Sequence, residues 1–369
     1  MIAPETFRPE WLADLRRRHR GLDPSIVEKM IMALALVERL AQQGLPFVFK
    51  GGTCLVLLLG QLRRFSVDVD IVTTASPEAV AQAVAGVCQQ PPFRRYEYDE
   101  RRSTKDGIPR GHYYLYFDPI QDLQRAAPYV ALDVLHEAHG YPALLTVPVG
   151  SDFVRVAGEP QLVTIPSVES ITGDKLTAFA PTTTGIRYDQ GKEQEIIKQL
   201  FDLGILFDEV AQVELVQAAY QATVSKELLY RNLPDSTATD VLTDTIRTAL
   251  HLAHLKLNRR PGSPAEITAA RELATGITAF AGFPFATRFG TDQAATSAAK
   301  AAYLAARLLV ADYSALPRFP ANPAPAITDQ RFNYLNKLRS APTALYYWQH
   351  LVALLAQHNQ LTVLLPSTG

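Results

Sequence analysis

Apolar residues recur along the chain with two different periods, and the change of period divides the chain into two parts. In the first part, apolar side chains repeat at helical spacing over 25–43, and Gly44 follows as a stop signal. Four short elements come next in the pattern: a strand over 46–49, a helix over 53–59, a strand over 67–72 and a helix over 77–90.

After residue 110 the pattern first predicts more strands and then changes to the helical period. Strands are predicted over 111–117 and 129–135, with weaker candidates over 154–156 and 163–165. From Ser167 onward the helical period dominates. Helices are predicted over 167–180, 192–209, 211–222, 237–256, 264–281, 292–312, 328–338 and 342–358. The pattern therefore predicts an α/β domain over 1–165 and an all-helical domain over 166–369.

The composition is that of a globular protein with its own core. Of the 369 residues, 47% are hydrophobic and 20% are charged, which is enough for two domains. The net charge of −1 shows no basic excess, so a contact with nucleic acid would need a local basic patch. Two cysteines, Cys54 and Cys88, make no disulfide framework. No apolar run resembles a signal peptide or a membrane span, so we expect a cytoplasmic protein with no membrane partner.

The strongest chemical signal is a pair of aspartates, Asp68 and Asp70. On a strand, positions i and i+2 point to the same side, so the two carboxylates would lie a few ångströms apart. Adjacent carboxylates repel each other unless a divalent cation lies between them. Mg²⁺ or Mn²⁺ is expected because these ions prefer hard oxygen ligands and also bind phosphate.

A glycine pair, Gly51-Gly52, follows the first short strand and opens the next helix. Backbone N–H groups at such a helix start can bind phosphate, and Thr53 would add a hydroxyl donor. A glycine pair or a D-x-D motif alone is common and carries little information. Here one helix and one turn separate the glycine pair from the D-x-D motif, so the chain can bring the two motifs together. The combination indicates phosphoryl or nucleotidyl transfer.

These residues resemble a known family. Lys50-Gly51-Gly52-Thr53, followed by Arg64-Phe65-Ser66-x-Asp68-x-Asp70, looks like the first motif of AbiEii/AbiGii-type nucleotidyltransferases. These are toxins of bacterial type IV toxin–antitoxin and abortive-infection systems, related to the MenT toxins. A second match, over 173–181 and 198–204, resembles the later motifs of the family. The resemblance implies an α+β fold, with a polymerase-β-like nucleotidyltransferase core, a mixed sheet and an all-helical C-terminal domain.

The resemblance also implies a role for each motif residue. The nucleotide would be held by Lys50, Gly51, Gly52, Thr53, Ser66 and Lys175. Asp68 and Asp70 would bind the metal, with Asp133 as the candidate third carboxylate, although Ala131 stands where the related pattern has a lysine. Asp202 would complete the catalytic set as a base or as an orienting partner of Lys175. The helical domain would thus contribute Lys175 and Asp202 to the site.

Ordinary structural explanations compete with these roles. Lysines such as Lys175 are usually solvated, and Asp202 can pair with Lys198 one helical turn away. Asp133 lies in an apolar strand, where it is equally well explained as a metal ligand or as a hydrogen-bonded structural aspartate. His136 and His139 lack a third metal ligand at suitable spacing, which favours a surface turn. For Cys54, a small buried residue is favoured over a reactive thiol.

By resemblance, the reaction is attack of an acceptor hydroxyl on the α-phosphate of an NTP. The 3′ end of tRNA is the implied acceptor, growth arrest the outcome, and a dedicated antitoxin the protein partner. Two alternatives stay open: a nucleotidyltransferase that modifies a small molecule or a protein hydroxyl, and a non-catalytic scaffold. Basic clusters occur at 16–20, 63–64, 101–102 and 256–260. Convergence of two of them on the carboxylate face would favour RNA.

Overall fold

The computed structural model describes residues 1–19, 23–103, 107–120, 128–285, 287–321 and 325–365. Arg20, the last residue of the first basic cluster, lies outside these ranges. The chain forms two compact units, Met1–Gly140 with Leu144–Ser167, and Tyr141–Ala143 with Val168–Gly369. Strands occur in the first unit, and the described part of the second unit is helical, which confirms the α+β class.

Within the described residues of the first unit, seven strands form one mixed sheet. The strands are β1 (Val48–Lys50), β2 (Val69–Thr73), β3 (Phe93–Tyr98), β4 (Arg110–Phe117), β5 (Tyr129–His136), β6 (Leu144–Pro148) and β7 (Leu162–Pro166). Their order across the sheet is β3-β4-β5-β2-β1-β7-β6. The β1–β7 and β2–β5 pairs are parallel and the other pairs are antiparallel.

One face of this sheet is buried and the other is partly open. In β5, Val130, Leu132 and Val134 are buried, whereas the alternating Ala131 and Asp133 are partly exposed. This period of two places the apolar residues in the core and leaves the polar ones on the other side. The helices of the unit are α1 (Pro9–Arg18), α2 (Pro24–Gln42), α3 (Gly51–Leu58), α4 (Pro77–Val87) and the short α5 (Glu100–Ser103).

Helix α2 is the largest buried element of the first unit. It begins at Pro24, because the side chain of Asp23 accepts a 2.8 Å hydrogen bond from the backbone N–H of Ser25 and proline suits the first helical position. Met30, Leu34 and Val37 on this helix are fully buried.

The second unit is built from helices around a hydrophobic core. These helices are α6 (Val168–Ala178), α7 (Glu193–Glu209), α8 (Val213–Tyr230), α9 (Ala238–Lys256), α10 (Pro264–Phe280), α11 (Thr291–Leu309) and α12 (Pro342–Gln357). Phe207, Tyr347 and Trp348 are among its fully buried side chains. In the part of the chain that the structure describes, no helix is both long and apolar enough to cross a membrane.

Two strands were missed by the sequence pattern and two predicted elements need correction. The strands β3 and β6 were not predicted, because every residue of β3 after Phe93 is exposed and β6 is almost wholly exposed, so neither shows apolar alternation. The weak strand over 154–156 is wrong, since Val156 only forms an isolated bridge with Ile2. The helix over 328–338 is instead a 3₁₀ helix at Asn333–Ser340, in keeping with the three-residue spacing of the buried Leu335 and Leu338.

Candidate active site

Four polar residues lie side by side across four adjacent strands of the open sheet face. Lys50 on β1 is opposite Asp70 on β2, Asp70 is opposite Asp133 on β5, and Asp133 is opposite His112 on β4. Directly opposed residues point to the same side of a sheet, and neighbouring strands are about 4.8 Å apart. We call these four residues the carboxylate row. The row places Asp70 and Asp133 next to each other although 62 residues separate them in the sequence.

The strand register fixes the position of Asp70. Val69 and Ile71 on either side of it are fully buried, so a slip of one residue would bury the carboxylate and expose the apolar pair. Asp68 is exposed and comes directly before β2. The hydroxyl of Thr53, a fully buried side chain, donates a 2.6 Å hydrogen bond to the backbone carbonyl of Asp68. The first turn of α3 therefore fixes the backbone at Asp68, the first residue of the D-x-D motif. A direct contact of Thr53 with phosphate stays a prediction.

Side chains approach both glycines of the pair closely. Gly51 has φ +79°, and a Cβ on it would clash with Oδ2 of Asp70 and lie 2.8 Å from its Cγ. A Cβ on Gly52 would clash with Nη2 of Arg64 and lie 2.9 Å from Oγ of Ser66. We call Gly51, Gly52, Arg64 and Ser66 the glycine cradle. Its backbone lies against a carboxylate on one side and against a guanidinium and a hydroxyl on the other.

Arg64 gives the glycine cradle its positive charge. Its side chain is buried, and its Nη1 donates a 3.1 Å hydrogen bond to the carbonyl of Phe65. The motif in the sequence contained Arg64 but gave it no role. A planar guanidinium beside glycine N–H groups at the start of α3 is a suitable environment for phosphate oxygens.

His112 is the site residue that sequence reasoning missed. Its Nδ1 lies 2.5 Å from Oδ1 of Asp133, and the ring is buried. The pKa of the Arg102 guanidinium is raised, first by its hydrogen bond with Tyr114 and further by the negative charge of Asp133. Asp133 is therefore contacted by a histidine and lies in the field of an arginine. The only sequence signal was a polar residue at an alternating position of an aromatic strand.

The donor chemistry of the carboxylate row fits Mg²⁺ or Mn²⁺. Mg²⁺ is usually held by one or two carboxylates together with substrate phosphates, and Asp70 and Asp133 supply such a pair. Asp68 provides a further exposed carboxylate next to β2. Among the described residues, no group of three His, Cys, Asp or Glu side chains by itself forms a metal cage.

In the second unit, Lys175 on α6 forms an ion pair with Asp202 on α7. Lys175 Nζ lies 2.9 Å from Oδ2 of Asp202 and donates a 2.8 Å hydrogen bond to Oε1 of Gln199. Asp202 is 0% exposed and Lys175 only 7%. The solvated-lysine explanation is therefore wrong. Lys198 Nζ, the partner that helical spacing suggested for Asp202, forms an ion pair with Glu195 at 2.6 Å.

The remaining alternatives are structural. His136 ends β5 and its Nδ1 lies 3.1 Å from the carbonyl of Ala75, while His139 is exposed after the strand. Cys54 is buried, as expected for a small core residue.

Two basic clusters of the first unit are joined by stacked rings. The ring of His19, which follows Arg16–Arg18 at the end of α1, stacks on Phe153 with centroids 5.5 Å apart. Phe153 in turn contacts Phe65 edge-to-face at 6.4 Å. His19 and Phe65, which adjoin the two clusters in the sequence, thus contact the same ring.

Comparison with known proteins identifies the family. Residues 35–272 match the model of the nucleotidyl transferase AbiEii toxin of the type IV toxin–antitoxin system. The matched range includes the carboxylate row, the glycine cradle and the Lys175–Asp202 pair. A crystal structure described as a candidate nucleotidyltransferase from H. pylori aligns at 13% sequence identity and a TM-score of 0.39, covering 78% of this chain and 94% of that chain. Comparison with curated proteins found no match.

Proposed function

This chain belongs to the AbiEii family of nucleotidyltransferase toxins of type IV toxin–antitoxin systems, and on that premise we propose that it transfers a nucleoside monophosphate from an NTP to the 3′ end of tRNA. Membership makes it a nucleotidyltransferase and implies an antitoxin as its partner. The tRNA acceptor, the divalent ion and the roles of individual residues are the content of the proposal.

The observation that carries the proposal is the carboxylate row beside the glycine cradle. Two carboxylates face each other across β2 and β5, and Gly51 allows Asp70 to approach the first turn of α3. A phosphate at this helix start would lie next to the carboxylates, which is the arrangement that nucleotidyl transfer needs.

Asp70 and Asp133, with Asp68, are the residues that would hold the metal ion. When bound, Mg²⁺ or Mn²⁺ would neutralise charge on the phosphate oxygens as a Lewis acid. The backbone N–H groups of the glycine pair and the Arg64 guanidinium would bind and orient the triphosphate. In the transfer, the acceptor oxygen forms a bond to the α-phosphorus while the bond to the β-phosphate oxygen breaks, and pyrophosphate leaves. The proton of the acceptor hydroxyl must pass to a base, and His112 orients Asp133 for that position.

We also propose that Lys175 and Asp202 serve this reaction. Burying an ion pair is costly and stabilises a fold little compared with apolar side chains, so such pairs are often retained for another reason. Asp202 and Gln199 hold the Lys175 ammonium in one position. A fixed positive charge of this kind can neutralise the leaving pyrophosphate.

The acceptor is tested by incubating the full-length protein with Mg²⁺, each labelled NTP in turn and total bacterial RNA. The matched control is Asp70→Asn, which keeps the side-chain shape and removes the charge. We expect label on RNA of tRNA size with the wild-type protein and none with the variant. Pyrophosphate release without label on any RNA would contradict the tRNA acceptor and indicate a small-molecule or protein hydroxyl.

A further inference from the structure

Three tyrosines occupy the open sheet face beyond the carboxylate row. Tyr114 and Tyr116 follow His112 at alternate positions of β4, and Tyr129 precedes Asp133 by four residues on β5. Alternate residues of a strand share a side, so these rings lie on the same face as the row. The register places Tyr116 opposite Tyr129, and Tyr114 opposite the small side chain of Ala131. We call the three rings the tyrosine platform.

The rings of the platform are packed against one another and remain accessible. The ring centroids of Tyr114 and Tyr129 are 4.9 Å apart, and those of Tyr116 and Tyr129 are 5.7 Å apart, both edge-to-face. Tyr129 is 41% exposed, and Tyr114 and Tyr116 are half-buried. An aromatic cluster that serves only the core would be covered by other elements, whereas this one is partly open to solvent.

Positive charges lie over the platform. The Arg95 guanidinium is 3.6 Å from the centroid of the Tyr116 ring, and the ammonium of Lys29 is 5.5 Å from that of Tyr129. Half of the Arg95 side chain is exposed, and its Nη1 forms an ion pair with Glu97. Aromatic faces mixed with cationic side chains are the usual surface for single-stranded nucleic acid, since rings stack on bases and cations meet phosphates.

The tyrosine hydroxyls are held by neighbouring carboxylates. Tyr116 donates a 2.8 Å hydrogen bond to Glu97, and Tyr114 donates a 3.2 Å hydrogen bond to Asp99. Arg102 Nη1 in turn donates a 3.1 Å hydrogen bond to the Tyr114 hydroxyl. These contacts fix the orientation of the rings. Because the hydroxyls already have partners, a ligand would be bound through the ring faces.

The platform lies on the side of the carboxylates that an acceptor must use. Across the sheet, the glycine cradle follows β1, while the platform occupies β5 and β4 on the other side of β2. In nucleotidyl transfer the attacking oxygen and the leaving pyrophosphate lie roughly in line on opposite sides of the phosphorus. If the triphosphate occupies the cradle, the acceptor therefore approaches from the β5–β4 side.

We infer that the tyrosine platform binds the unpaired end of an acceptor RNA by stacking its last bases on Tyr114, Tyr116 and Tyr129. This inference rests on the proposed function and gives it an acceptor surface. Four residues of strand, from Tyr129 to Asp133, cover about 13 Å, which is room for about two or three stacked bases. Paired RNA does not offer base faces to such a surface, so the platform selects a single-stranded end.

The test measures RNA binding by full-length protein, using a fluorescein-labelled single-stranded RNA of about 12 nucleotides and the same RNA in a blunt duplex. The platform variant is Tyr116→Ala/Tyr129→Ala. The matched control is Tyr96→Ala/Tyr98→Ala, because these tyrosines are 37% and 49% exposed but alternate with Glu97 and so lie on the opposite face of β3. A second variant, Tyr116→Leu/Tyr129→Leu, keeps apolar volume and removes only the rings.

We expect both platform variants to weaken binding of the single strand roughly tenfold or more, as loss of base stacking predicts, and the control to stay within about twofold of wild type. The wild-type protein is expected to bind the duplex much more weakly than the single strand. Mg²⁺-dependent NTP binding is measured on the same samples and should be unchanged by the platform substitutions.

The inference would be overturned if the Leu variant bound RNA as tightly as the wild type, or if the wild type bound duplex and single strand equally. Normal NTP binding in the same samples would leave the proposed function intact. Absence of NTP binding by the wild-type protein would overturn the proposed function and this inference together.

Discussion

The carboxylate of Asp70 occupies the space that a side chain on Gly51 would need. Its Oδ2 and Cγ lie where a Cβ would project, and the backbone of Gly51 has φ +79°. Only glycine satisfies both conditions, because the left-handed conformation is strained for other residues and the carboxylate leaves no space. This contact determines how closely the carboxylate row approaches the start of α3.

We predict that Gly51→Ala slows transfer by about 10²-fold while the protein stays folded. The new methyl group must displace the Asp70 carboxylate, and a shift of about 1 Å at a reacting centre can cost about 10²-fold in rate. The left-handed backbone adds about 1–2 kcal/mol of instability. The initial rate of NTP consumption measures the loss of activity, and the midpoint of thermal unfolding measures the loss of stability.

Gly44→Ala is the matched control for this substitution. Gly44 also has a positive φ, +75°, but a Cβ there meets nothing within 4 Å. Gly44→Ala should lose only the stability that the left-handed backbone costs, which is the same contribution expected for Gly51→Ala. Its transfer activity should equal that of the wild type. Equal activity of the two variants would refute the argument from the clash.

Metal binding should stabilise the wild-type protein and not its carboxylate variants. Mg²⁺ with NTP at about 100 times the dissociation constant adds about 2.7 kcal/mol to the unfolding free energy of a protein that binds only when folded. Asp70→Asn and Asp133→Asn should lose most of this increment.

Urea unfolding with and without Mg²⁺ and NTP measures the increment. Asp235→Asn, at an exposed position of the second unit, is a suitable control that changes the net charge by the same amount. An increment that survives in both row variants would place the metal elsewhere.

The Lys175–Asp202 pair allows its stabilising and catalytic roles to be separated. Asp202→Ala leaves a buried ammonium with a lost partner and should cost about 3–5 kcal/mol of unfolding free energy. Lys175→Met/Asp202→Leu replaces both charges by apolar groups of similar size and should recover most of that loss. The double variant should nevertheless be inactive. A stable and active double variant would show that the pair serves the fold alone.

The second unit should lose stability as the pH falls below about 6.5. Burial lowers the pKa of His254 to about 4, and repulsion from Arg259 and His251 adds to this effect, against an opposing attraction from Glu266. The unfolded chain binds the proton near the ordinary pKa of about 6.5, before the folded chain does. The unfolding free energy should therefore decrease by up to about 3 kcal/mol between pH 6.5 and pH 4.

The fluorescence of Trp348, fully buried in the same unit, can follow urea unfolding across this pH range. His254→Gln removes the titrating group that lies 2.7 Å from the Tyr334 hydroxyl, and should flatten the slope relative to wild type. An identical slope in the variant would assign the pH dependence to other groups.

Local pattern predicted those elements whose burial alternates with a clear period. β2 and β5 have buried apolar residues at every second position, so both strands were accessible from the sequence, whereas Asp133 entered as a site residue through the family resemblance. The edge strand β3 has no buried alternation after Phe93, and no periodic signal exists for it.

The pattern of apolar residues could not predict contacts between segments that lie far apart in the sequence. His112 contacts Asp133 because β4 pairs with β5 in a particular register, and no property of either strand alone specifies that register. Lys175 and Asp202 were found through family resemblance. Their pairing depends on how α6 packs against α7, which the helical period does not encode.

The order of strands in the row has a consequence for the time at which the toxin becomes active during its synthesis. Lys50 and Asp70 leave the ribosome early and can pair through the antiparallel β1–β2 contact, whereas Asp133 joins Asp70 only after β5 has emerged. Pairing of strands so far apart in the sequence is also slow compared with local folding. We therefore expect a nascent chain, or a product of a broken messenger that ends before Tyr129, to carry Asp68 and Asp70 without Asp133 and to be inactive.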